Sequence, residues 1–172
     1  MQTWLEKAVI GLNLCPFAKA VHVKKQIRFS VTSAATEEQL LRDLIGELKF
    51  LVKTAANEVD TTLLIHPEVM TDFLDYNDFL QTAEAALLEL KLDGVIQIAS
   101  FHPRYQFAGT DVDDISNYTN RSPYPTLHLL REDSVTRAVD SFPDVDSIPE
   151  KNIAAMKALG LIGWKKLGIP GS

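Results

Sequence analysis

A single cysteine, Cys15, leaves the chain without any internal disulfide, so apolar burial alone must hold it together. No apolar run approaches the roughly 20 residues of a membrane-spanning helix. The first residues also lack the charged and apolar regions of a signal peptide, so a reducing cytoplasm is the expected setting. The N-Y-T and N-R-S sequons at Asn117 and Asn120 are then expected to be chance matches. Basic excess is missing too. A net charge of −6 and a pI near 5.2 argue against nucleic acid as a partner, because holding phosphates requires a basic face that releases counterions. No phosphate-binding loop, dinucleotide fingerprint, nucleophile elbow, HExxH or paired CxxC pattern occurs. The aspartates 111, 113 and 114 fail as a calcium loop, since Ser116 stands where glycine is required.

What is present is a 172-residue chain with 46% hydrophobic residues, enough to bury one substantial core. Trp4, Leu5, Ala8, Val9 and Leu12 have helical spacing until Pro16 interrupts. Residues 26–32 alternate apolar and polar, as a half-buried strand does. Thr36 with Gln39 forms a capping-box pattern ahead of an apolar stripe that predicts a helix to about Asn57. Residues 61–65 and 95–99 read as short buried strands, separated by an amphipathic helix from about Asp72. Each strand leads into a His-Pro pair, His66-Pro67 and His102-Pro103. Residues 125–130 read as a fourth strand, followed by helices near 133–141 and 149–159 and an irregular tail from about 160 on which Trp164 docks. This order predicts one α/β domain over residues 1–172: a small, mainly parallel sheet of about four strands with helices packed on it. The direction of the fourth strand is left open.

Residues 100–125 form a long polar stretch with no helical or strand period, the kind of connection that shapes binding sites. Ligands of open α/β sheets sit beyond the carboxyl ends of the parallel strands, where His66 and His102 fall. Both are candidate acid–base residues, against the plainer reading of turn histidines bonded to backbone. Arg104 and Arg121 offer planar forks for carboxylate or phosphate, with Asn120, Ser122 and Tyr124 as further contacts. The alternative is that both arginines pin the loop to Asp111, Asp113 and Asp114. Cys15, at the start of a possible helical turn with Pro16, is a candidate nucleophile if the helix dipole lowers its pKa, and a packing residue otherwise. His22 and His128 read as structural. No metal-ligand spacing is found, and no cofactor is indicated.

The runs WLEKAVIGLNLCPFA from Trp4, SFHPRYQF from Ser100 and NRSPYPTLHLLRE from Asn120 resemble a bacterial family of conserved hypothetical proteins, a domain of unknown function. The resemblance spans most of the chain and implies no established activity. Three functions are therefore carried forward: a small cytoplasmic enzyme acting on an anionic small molecule; a non-catalytic metabolite- or protein-binding module; and a metal-dependent hydrolase. Oligomeric state is not indicated.

Overall fold

The structure, a computed structural model, describes residues 1–142 and 144–170. The chain opens with a single α-turn, α1 (Gln2–Trp4), continuing as a π-helical segment, Leu5–Ile10. It then runs through α2 (Ala18–Val23), β1 (Ile27–Val31), α3 (Glu37–Lys53), β2 (Thr61–Ile65), α4 (Phe73–Glu89) and β3 (Ile96–Phe101). A 3₁₀ turn, Ile115–Thr119, lies in the long connection to β4 (Thr126–Arg131), followed by α5 (Glu132–Asp140), a second 3₁₀ turn, Val145–Ser147, and α6 (Ile148–Lys166). Among the described residues no helix is long and apolar enough to cross a membrane.

The fold is α/β, with four strands in the order β1-β2-β4-β3. β1 and β2 are parallel, whereas β4 lies antiparallel to both β2 and β3. The expected mainly parallel sheet is therefore corrected at the level of its ladders: one is parallel and two are antiparallel. The strand directions explain this. β1, β2 and β3 all run the same way through their helical crossovers, and β4 returns between β2 and β3, separating two strands that would otherwise pair.

Each face of the sheet has its own apolar layer. Leu64, Ile96, Leu127 and Leu129 pack under α3 and α4, against Leu40, Leu44, Leu48, Tyr76, Phe79 and Leu87. Ile27, Phe29 and Phe101 belong to the opposite layer, with Trp4, Leu5, Val9, Met156 and Trp164. The period-two pattern of β1 accounts for the split, since Arg28 and Ser30 point the other way and bond Glu47 of α3 at 2.8 to 3.0 Å. At the start of α3 the Thr36 side chain accepts from Gln39 N–H, and Gln39 reaches back to Ala35 N–H at 2.8 Å.

Two local expectations change. The helix expected to end near Leu159 resumes beyond Gly160, whose backbone (φ 62, ψ 172) breaks α6 and redirects its last turns, so the tail is not irregular from 160. The helical turn after Cys15 begins only at Ala18, with Phe17 as its cap, which leaves Cys15 outside the helix terminus.

Candidate functional site

The His-Pro pairs turn their imidazoles inward at the carboxyl ends of β2 and β3. Both rings are fully buried and flank Tyr76 of α4, His66 stacking on it at 5.7 Å and His102 tilted against it at 5.1 Å. The Tyr76 hydroxyl accepts from Phe101 N–H (3.2 Å) and donates to the Thr126 carbonyl (2.8 Å), tying β3 to β4. His102 Nδ1 accepts from Arg104 N–H at 3.0 Å, so its proton sits on Nε2 and is donated to the Met70 carbonyl at 3.2 Å. His66 Nδ1 donates to the Val69 carbonyl at 2.9 Å, which leaves Nε2 a bare, buried lone pair with no partner among the described residues. Burial first, and then the neighbouring imidazole, push His66 down to about 4. Burial and the charge of Arg104 do the same to His102. Both rings are neutral near pH 7.

The long loop is held by its own side chains. Asn117, fully buried, accepts from Phe107 N–H (3.0 Å) and the Thr110 hydroxyl (2.8 Å) and donates to the Asp111 carbonyl (2.9 Å). Arg104 reaches across to α4, bonding the Thr71 carbonyl at 2.8 Å and Asp72 at 3.3 Å. Arg121 donates to the Tyr105 and Val112 carbonyls (3.2 and 2.6 Å) and lies over the Tyr118 ring at 4.3 Å. The arginines thus order the loop through carbonyls and Asp72, not through Asp111, Asp113 and Asp114. Asn120 accepts His102 N–H on its carbonyl (3.2 Å), and its side chain donates to the Ser100 carbonyl (3.3 Å). Ser122, buried, donates to the Tyr124 carbonyl at 2.7 Å.

Two hollows flank the strap formed by residues 121–124. The larger, about 550 Å³, opens at the carboxyl ends of β1 and β2 between Phe29, Val31, Ile65, Pro67, Tyr124 and the first three residues. The smaller, about 120 Å³, lies between Pro103, Tyr118, Arg121, Ser122, Pro123, Trp164, Ile169 and Pro170. Neither histidine lines either hollow. Of the residues expected to bind substrate, Arg121 and Ser122 border the smaller hollow and Tyr124 the larger, while Arg104 and Asn120 border neither.

Cys15 is kept apart from the histidines. It packs on the layer of Trp4, Val9 and Met156, and burial raises its thiol above the ordinary value despite hydrogen bonds from the Phe17 and Ala18 backbone. The condition for a lowered thiol pKa, a helix beginning at Pro16, is not met, and burial outweighs the two backbone hydrogen bonds. Among the described residues no three His, Cys, Asp or Glu side chains converge as a metal site.

Residues 1–166 match the family described as "Protein of unknown function (DUF1415)". The chain belongs to this family. No curated protein and no solved structure matches it. In this DUF1415 chain the side chains that organise the rim include three whose roles the sequence left unread. Tyr76 was legible only as part of an apolar helix stripe, and Asn117 only as a sequon. The indole of Trp4 donates to the Arg121 carbonyl at 2.9 Å across 117 residues, a contact no local pattern signals.

Proposed function

We propose that this chain is a small-molecule-binding protein whose ligand occupies the groove at the carboxyl ends of β1 and β2. The observation that carries the reading is the groove itself. Its volume, about 550 Å³, falls within the roughly 300–1,000 Å³ typical of small-molecule sites. Its place at the strand ends is where open α/β sheets take their ligands. The walls are mainly apolar, from Phe29, Val31, Ile65 and Pro67, with Tyr124, Gln2 and Thr3 as the polar contacts that would orient a guest. Binding is favoured over acid–base catalysis because both His102 nitrogens are engaged by backbone and His66 faces the α4 side, away from the groove lining. The enzyme reading draws on the bare Nε2 of His66, an acceptor without a partner among the described residues, but no substrate in either hollow meets it.

Ligand-observed NMR with a metabolite mixture tests the proposal. Val31 is 68% exposed and borders the groove, so Val31→Trp fills the space at little cost to the fold. Metabolite signals that respond to the wild-type chain and are silent with Val31→Trp support it. An unaffected or empty screen sinks it.

A further inference from the structure

We infer that the groove at the ends of β1 and β2 selects an uncharged aromatic guest, its ring packed on Tyr124 and its polar groups met by neutral donors and acceptors. This rests on the groove being a small-molecule site and adds the class of molecule it takes.

The argument begins with a ring that lacks a companion. Of the four tyrosines, three pack on another ring: Tyr76 between His66 and His102, Tyr105 on Phe73 and Phe107, and Tyr118 on Trp164. Tyr124 has no ring partner among the described residues, is 43% exposed and borders the groove. An aromatic face left open beside a hollow is what a second ring packs against.

The strap nevertheless holds the Tyr124 backbone firmly. Its carbonyl accepts from the Ser122 and Thr126 hydroxyls at 2.7 and 2.9 Å. Proline stands on either side, at 123 and 125, and the Pro125 carbonyl takes His66 N–H at 3.1 Å. The Trp4 indole secures the strap again at the Arg121 carbonyl. With the backbone already ordered, a guest that settles on the ring has little chain entropy to overcome.

The sheet supplies the apolar lining and keeps charge out of it. Val31 and Ile65 are register partners, and Phe29, two residues before Val31, shares its side of β1 and belongs to the layer of Trp4 and Met156. The same alternation sends Arg28 and Ser30 to the other face, where they bond Glu47. No charged side chain is therefore among the lining residues. A carboxylate or phosphate lodged here would lose water with no cation to replace it, in a chain of net charge −6. Neither Arg104 nor Arg121 borders the groove, and both already bond groups of the loop and the start of α4. The polar groups that do border it are the Gln2 amide, the Thr3 hydroxyl and the Tyr124 phenol. Each of these both donates and accepts, which suits the carbonyl, amide or hydroxyl of a neutral molecule.

The test uses three probes of one size on the full chain. 2-Phenylacetamide is neutral and aromatic, phenylacetate is aromatic and anionic, and 2-cyclohexylacetamide is neutral without the aromatic ring. Affinities come from saturation-transfer NMR titrations at fixed ionic strength. 2-Phenylacetamide is expected to bind saturably and to lose binding in Val31→Trp, with each of the other two weaker by at least about threefold. Tyr124→Leu is expected to bring 2-phenylacetamide down to the level of the cyclohexyl probe, and Tyr124→Phe, which keeps the ring and the strap, to retain the preference. Phenylacetate or the cyclohexyl probe binding as tightly as 2-phenylacetamide overturns the inference, as does loss of the preference in Tyr124→Phe or its survival in Tyr124→Leu. If metabolites respond through the groove while 2-phenylacetamide does not, the groove stands and this inference falls. If neither responds, both fall.

Discussion

Tyr76 joins several parts of the rim. Its hydroxyl is a relay between strands, taking a hydrogen bond from Phe101 and giving one to Thr126, while its ring separates His66 from His102. Burial raises the phenol above its ordinary pKa, so it remains a donor at neutral pH. Tyr76→Phe preserves the ring but strands a buried N–H and a buried carbonyl. The expected loss is about 2 kcal/mol, read from urea unfolding with unchanged slope. A loss below about 0.5 kcal/mol would mean that the two backbone groups find other partners and the relay is incidental. His102 is the same kind of residue: one nitrogen takes Arg104 N–H, the other gives to Met70, whose left-handed backbone (φ 55) accompanies that turn. The sequence located both histidines at strand ends. It could not show their direction, because that depends on where the 69–70 carbonyls curl.

Among the elements, α6 shows how one residue changes the use of a helix. Without the break at Gly160 the apolar pattern of 149–159 would run straight into the last turns. With it, the 161–166 segment swings Trp164 onto Tyr118. The conformation at Gly160 (φ 62, ψ 172) belongs to a region almost closed to other residues, and a Cβ there would meet nothing within 4 Å. Gly160→Ala therefore isolates backbone strain from packing. In an ordinary helix interior the substitution stabilises by about 1 kcal/mol; here it is expected to destabilise by about 1 to 3 kcal/mol and to change the Trp164 fluorescence. Stabilisation would show that α6 runs unbroken in solution. β2 at Thr61–Ile65 and the Thr36-capped start of α3 were legible in the sequence, whereas α3 ends at Lys53, before the expected Asn57, because Thr54 turns extended. The placement of β4 between β2 and β3 was not, since no pattern within a strand identifies its neighbours across a long connection. Arg121 and Ser122 were legible as candidates at a rim, but Trp164 became their companion only through the Gly160 turn.

Taken as a whole, the molecule holds neutral histidines on both sides of its sheet, two fully buried and one half-buried, and this sets its response to acid. His66 and His102 lie beneath α4. His128, on the opposite face, has its Nε2 2.7 Å from the Thr61 hydroxyl, whose own proton goes to the Leu129 carbonyl, so the imidazole donates there. Burial lowers His128 to about 4, as it does the other two. In the unfolded chain all three titrate near 6.5. Between about pH 6.5 and pH 4 the unfolded state therefore takes up protons that the native state refuses, and stability falls as pH falls. Each histidine adds to that slope in the same direction, and His66 and His102, which are fully buried, carry most of it. Glu47, held below its ordinary pKa by Arg28 and Ser30 against the opposing effect of burial, loses its own contribution only as pH falls further through the carboxylate range. Urea midpoints from pH 8 to pH 4 should accordingly stay level down to about pH 7 and then drop steeply. His128→Gln should make the slope shallower and keep a donor for Thr61. A midpoint that stays level to pH 4.5 would overturn this reading, since it would mean that the three imidazoles take up protons as readily in the native state as in the unfolded chain.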